Sequence, residues 1–102
     1  MISYQFRYEN AMIKSIEIKG HASSDYGNDI VCASISTAII VTLNAINKLK
    51  LEESISFKLD EGLLDLTVKV FNETVNALLE NLQYTLHELK EQYPKKIINY
   101  KE

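Results

Sequence analysis

The stretch ISFKLDEGLLDLTVKV, Ile55 to Val70, decides the fold. Ile55, Phe57 and Leu59 alternate with polar residues. Asp60-Glu61-Gly62 supplies turn chemistry, and Leu64, Leu66, Val68 and Val70 alternate again. Period-two patterning on both sides of a short polar break reads as a β-hairpin with one buried face. Asn72 follows at once, a residue whose side chain accepts a backbone N–H at a helix start. Val75, Leu78, Leu79, Leu82, Leu86, Leu89 and Tyr93 then recur at helical spacing, and Pro94 ends the run.

Outward from this unit, the N-terminal half follows the same plan. Residues 2–8 alternate, with Ile2, Tyr4, Phe6 and Tyr8 on one face, and Glu9-Asn10-Ala11 reads as a turn. Residues 12–19 read as a second strand with Ile16 and Ile18 inward, but Lys14 breaks the alternation. Residues 20–28 read as loop. From Asp29 to about Lys50 the chain is apolar and too long for a strand, so it reads as helix. Ile35, Ile39, Thr42, Ile46 and Leu49 form its stripe; Ala33, Ala38 and Val41 widen it, which predicts burial on more than one side. Residues 95–101, with Ile97, Ile98 and Tyr100, predict a final strand. The order β-β-α-β-β-α-β predicts an α+β two-layer sandwich, a mainly antiparallel sheet with two helices, in a single domain over residues 1–102.

Composition excludes several classes. With 46% apolar and 25% charged residues the chain is not disordered. Its net charge of -3, and basic residues scattered along the sequence, predict no direct nucleic-acid binding. One cysteine forms no intrachain disulfide, which fits a reducing, cytoplasmic setting. The first ten residues lack the basic and apolar regions of a signal peptide. Residues 30–47 carry no charge over 18 positions, a borderline length for a membrane span. Ser34, Ser36, Thr37, Thr42, Asn44 and Asn47 within them favour a core helix, and no membrane partner is expected. Cys and His are too few and wrongly spaced for a metal site, and no cofactor is expected.

The chemistry concentrates in GHASSDYGNDIVCASIS, Gly20 to Ser36. With Asp29 as N-cap, Cys32 falls in the first helical turn, where unpaired N–H groups and the helix dipole favour a thiolate. His21, on the preceding loop, is the natural base: it takes the thiol proton and returns it to a leaving amine. The backbone N–H groups of Cys32 and Ala33 are candidate oxyanion donors. Asp29 either caps the helix or orients His21, and capping is the preferred reading. Ser36, one turn after Cys32, either bonds the thiol or a substrate carbonyl, or bonds back to the Cys32 carbonyl. Gly20 and Gly27 are loop hinges or plain turn glycines. Tyr26 either stacks on a substrate side chain or anchors the loop. On residue types alone, Cys32 reads more readily as a small buried hydrophobe than as a nucleophile; its place at the helix start, after a loop histidine, shifts the reading toward chemistry.

Gly20-His21-Ala22, a short loop, then Gly27-Asn28-Asp29-Ile30-Val31-Cys32-Ala33 and Ser36 resemble the signature of the bacterial ribosomal-processing cysteine proteases (Prp). The resemblance extends over the chain in length and element order. It implies a homodimeric cytoplasmic cysteine endopeptidase that removes the N-terminal extension of a large-subunit ribosomal protein. Cys32 would be nucleophile and His21 base, with Asp29 and Ser36 at supporting positions and residues 22–28 as the family's mobile loop. The chain departs from the pattern in its short loop and in Ser34, where a second alanine is common. The alternatives are a non-catalytic dimeric α+β module assisting ribosome assembly, or another cysteine acyl-transfer enzyme.

Overall fold

The computed structural model describes residues 1–20, 29–60 and 63–100; the Asp29 side chain lies outside the described part. The elements are β1 (Ile2–Glu9), β2 (Met12–Lys19), α1 (Asp29–Lys48), a 3-10 turn (Glu52–Ser54), β3 (Ile55–Asp60), β4 (Leu63–Val68), α2 (Glu73–Gln92) and β5 (Ile97–Asn99). The strands form one sheet in the order β3-β4-β2-β1-β5. Its first three pairings are antiparallel, and β5 runs parallel to β1. The predicted α+β order is therefore observed, with a final strand of three residues instead of seven.

Local chemistry sets the boundaries. Asn10 and Ala11 both have positive φ, 53° and 67°, as a two-residue hairpin turn between right-twisted strands requires. Lys14 breaks the pattern of β2 because it is the extra residue of a bulge: Arg7 pairs with Ser15 and Tyr8 with Ile13. The bulge turns Ile13 to the same buried side as Ile16 and Ile18. It also frees Lys14 to donate from Nζ to the Val68 carbonyl at 2.9 Å. The Asn72 side chain accepts the Val75 N–H at 3.0 Å and so starts α2. Lys50, at φ 61°, ends α1: its own N–H and that of Leu51 return to the carbonyls of Asn47 and Ile46.

The core lies between the helices and one sheet face. Tyr4, Ile16, Leu64 and Leu66 from the strands meet Ile39 and Ile46 of α1 and Leu79, Leu82 and Leu86 of α2. The opposite sheet face is polar, with Arg7, Glu17, Lys19, Asp65 and Lys58. The expectation of an α1 buried on more than one side is corrected. Only 28% of Ile30–Lys48 is buried, along Val31, Ile35, Ile39, Thr42 and Ile46, while Ile30, Ile40, Val41 and Leu49 stand in solvent. Two helices are too narrow to cover five strands, so α1 shields one stripe only. The same shortage leaves Phe57 and Leu59 of edge strand β3 about half exposed.

The Tyr4 hydroxyl is buried without a hydrogen-bond partner among the described residues. Such a group costs its desolvation without return. Tyr4→Phe is therefore expected to raise stability by about 1 kcal/mol in urea titration. Burial also raises the Tyr4 pKa above 10.0. As pH climbs past 10 the unfolded chain ionises first, so stability falls there, and the Phe variant loses that contribution.

Candidate active site

Where β2 and β3 end and β1 and β4 begin, the first half of α1 stands off from the sheet. The groove between them has a volume of about 620 Å³. Cys32, Ala33, Ser36, Ile39 and Ile40 line it from the helix; Gly20, Leu59, Asp60, Leu63 and Leu64 line it from the strands. The helix wall thus carries the thiol and the Ser36 hydroxyl among apolar side chains, and the strand wall is apolar with Asp60 at its edge.

Cys32 sits in the first turn of α1, half-buried, with its back against the core and its front on the groove. Val31 on one side and Ile35 in the next turn are fully embedded, so the helix start is held by packing. That placement answers the buried-hydrophobe reading: the thiol borders an open cavity. Ser36 is exposed one turn later on the same wall. Ser34 and Thr42 bond back to the carbonyls of Ile30 and Ala38, whereas the Ser36 hydroxyl makes no hydrogen bond among the described residues. Its back-bonding alternative therefore drops away.

Gly20 lies on the strand side with φ 121°. A Cβ there would stand 2.2 Å from the Met1 carbonyl oxygen and 2.8 Å from the Ile2 Cα. The hinge reading is thereby sharpened: the backbone of β1 passes so close that only glycine fits.

The structure thus brings together Cys32, Ala33, Ser36 and Gly20. His21, Ala22, Tyr26 and Gly27 lie outside the described residues, as does the Asp29 side chain, which carries both readings of that residue. The second histidine, His87, pairs with Glu91 at 3.3 Å on the exposed face of α2. Among the described residues no cluster of three metal-ligating side chains occurs. Sequence reasoning missed the apolar wall. Leu59 and Leu64 were read as hairpin core and Leu63 was given no role, and only the edge position of β3, a property of sheet order, turns Leu59 into groove lining.

A family model described as cysteine protease Prp matches residues 1–98. No curated protein matches the chain. Among solved structures, the protein SMU.848 of Streptococcus mutans superposes with a TM-score of 0.81 at 29% identity, over 98% of this chain and 96% of that one. The essential ribosomal processing protease Prp of Staphylococcus aureus, in complex with a substrate peptide, superposes with a TM-score of 0.85 at 27% identity. The match covers 99% of this chain and 100% of that one. The same protease with a covalently linked product peptide gives 0.82, at the same identity and coverage.

Proposed function

Because the chain belongs to the Prp family of cysteine proteases, we propose that it removes the N-terminal extension of a large-subunit ribosomal protein, with Cys32 as nucleophile and His21 as general base. One observation carries the assignment: a cysteine protease needs a thiol, this chain has one cysteine, and that cysteine opens onto the groove described above. The S. aureus relative is a ribosomal processing protease, which supports the substrate class.

The reaction follows the usual acyl transfer. His21 accepts the Cys32 proton, and the sulfur attacks the scissile carbonyl carbon. The start of α1 offers the developing oxyanion unpaired N–H groups and the positive end of the helix dipole; because the helix begins at Asp29, the N–H groups of Cys32 and Ala33 are engaged in its own hydrogen bonds, which removes them as candidate donors. Collapse breaks the C–N bond, and His21 protonates the leaving amine, giving a thioester. Water, deprotonated by His21, then releases the acid and restores the thiol. Gly20 borders the groove, so His21 follows one residue from its wall, and consecutive Cα atoms are about 3.8 Å apart. Ser36 would donate to a substrate carbonyl, Asp29, the first residue of α1, would serve in a supporting role, and Ala22, Tyr26 and Gly27 would contribute to substrate binding. The enzyme acts in the cytoplasm of a bacterium, as a homodimer.

Incubating the protein with the N-terminally extended ribosomal protein of its own cell, read by mass spectrometry, tests the proposal. The expected result is one cleavage that shortens the substrate at its N-terminus. An unchanged substrate, or cleavage scattered along it, would overturn the substrate assignment.

A further inference from the structure

α1 carries two lengthwise stripes. Val31, Ile35, Ile39, Thr42 and Ile46 face the core. Away from them lie Ile30, Ala33, Thr37, Ile40, Asn44 and Asn47, all exposed. Their spacing is three, four, three, four, three, the spacing of a coiled-coil seam. None is charged, although a helix face left to water ordinarily carries its charged residues there.

We propose that this second stripe is where a second copy of the chain docks, the two α1 helices packing antiparallel about a two-fold axis near Ala38 and Ile39. The charges are complementary in that arrangement. The two charged residues of α1 are Asp29 at its start and Lys48 at its end. Antiparallel pairing about the middle brings the acidic end of each helix to Lys48 of the partner subunit. The same register sets Ala33 against Asn44 of the partner subunit and Thr37 against Ile40 of the partner subunit, a small residue facing a larger one in each layer. A parallel pairing would put like charges together at both ends.

The apolar surface does not stop at the helix. Ile40 lies on the seam and also lines the groove, and Leu59 lines the same groove. Leu59 leads on to Phe57, both about half exposed on β3. A stable interface takes roughly 800 Å² from each partner. The helix, about 30 Å long, widened by this ledge, supplies a continuous surface for it. The docked copy flanks Ile40 and so forms the outer wall of the groove that holds Cys32; the site is incomplete in a monomer. This inference rests on the homodimer proposed above and names its interface.

The test uses the full chain in a Cys32→Ser background. Thr37→Cys with Ile40→Cys is expected to form a covalent dimer on mild oxidation, whereas Tyr84→Cys on the exposed face of α2 is not. With Cys32 present, Thr37→Glu is expected to weaken dimerisation about 100-fold in sedimentation equilibrium, because each interface then buries two unpaired charges, with the helical circular dichroism unchanged. A dimer that ignores Thr37→Glu and gives no Thr37–Ile40 cross-link overturns the interface and leaves the homodimer standing. A chain that is monomeric throughout overturns both. Co-sedimentation of the wild-type chain with phosphatidylglycerol vesicles in place of self-association assigns the stripe to a membrane and overturns the proposal.

Discussion

Cys32→Ala is expected to lower kcat/KM for cleavage of the extended ribosomal protein by at least about 10⁴-fold. No other thiol in the chain can replace it. His21→Ala is expected to cost about 10²- to 10⁴-fold, the range for losing a positioned general base. The two effects should not add, because the base has nothing to activate once the thiol is gone. Stability should barely move in the Cys32 variant: the side chain is half-buried and only its back meets the core. Activity loss with an unchanged melting temperature is therefore the diagnostic pair. Turnover by the Cys32→Ala protein would end the nucleophile assignment. Alkylation by iodoacetamide gives an independent reading, since a thiol on an open groove reacts in the native state and a core thiol does not.

Gly20→Ala should be the most damaging single-methyl change. The new Cβ would press within 2.2 Å of the Met1 carbonyl oxygen, and the residue would have to hold φ 121°. Both neighbours are backbone, so no side chain can swing aside. Strain and overpacking together are expected to cost about 3 kcal/mol, or roughly 10–20 °C in melting temperature for a domain of this size. Activity should fall even at temperatures where the variant stays folded, because Gly20 lines the groove and leads into His21. An unchanged melting temperature would show that the strand end relaxes freely and that the close approach is unimportant.

Much of the fold was legible because local pattern and global arrangement agree. The β3–β4 hairpin, the Asn72 cap and the α2 stripe of Val75, Leu79, Leu82 and Leu86 announce themselves within short windows. Lys14 was legible only as an irregularity, since a bulge is defined by the partner strand. The exposure of Phe57, Leu59, Ile40 and Val41 was hidden for a similar reason. Hydrophobic spacing says which side chains share a face, and only the order of the strands says whether anything covers it. The site divides likewise. Cys32 and Ser36 fall on one wall by helical spacing, whereas the opposite wall of Leu59, Leu63 and Leu64 comes from sheet order.

The short strand β5 has a consequence for when the groove is fully braced. Ile97 pairs with Ile2 and Asn99 with Tyr4, joining residues near opposite ends of the sequence. Such a distant pairing forms late, because its loop-closure cost is met only after the local hairpins and helices exist. Ile2 also lines the groove beside Gly20 and Cys32. A growing chain would therefore set Ile2 through the local β1–β2 hairpin first, and the last edge support of the strand that floors the groove would arrive only when the final strand docks.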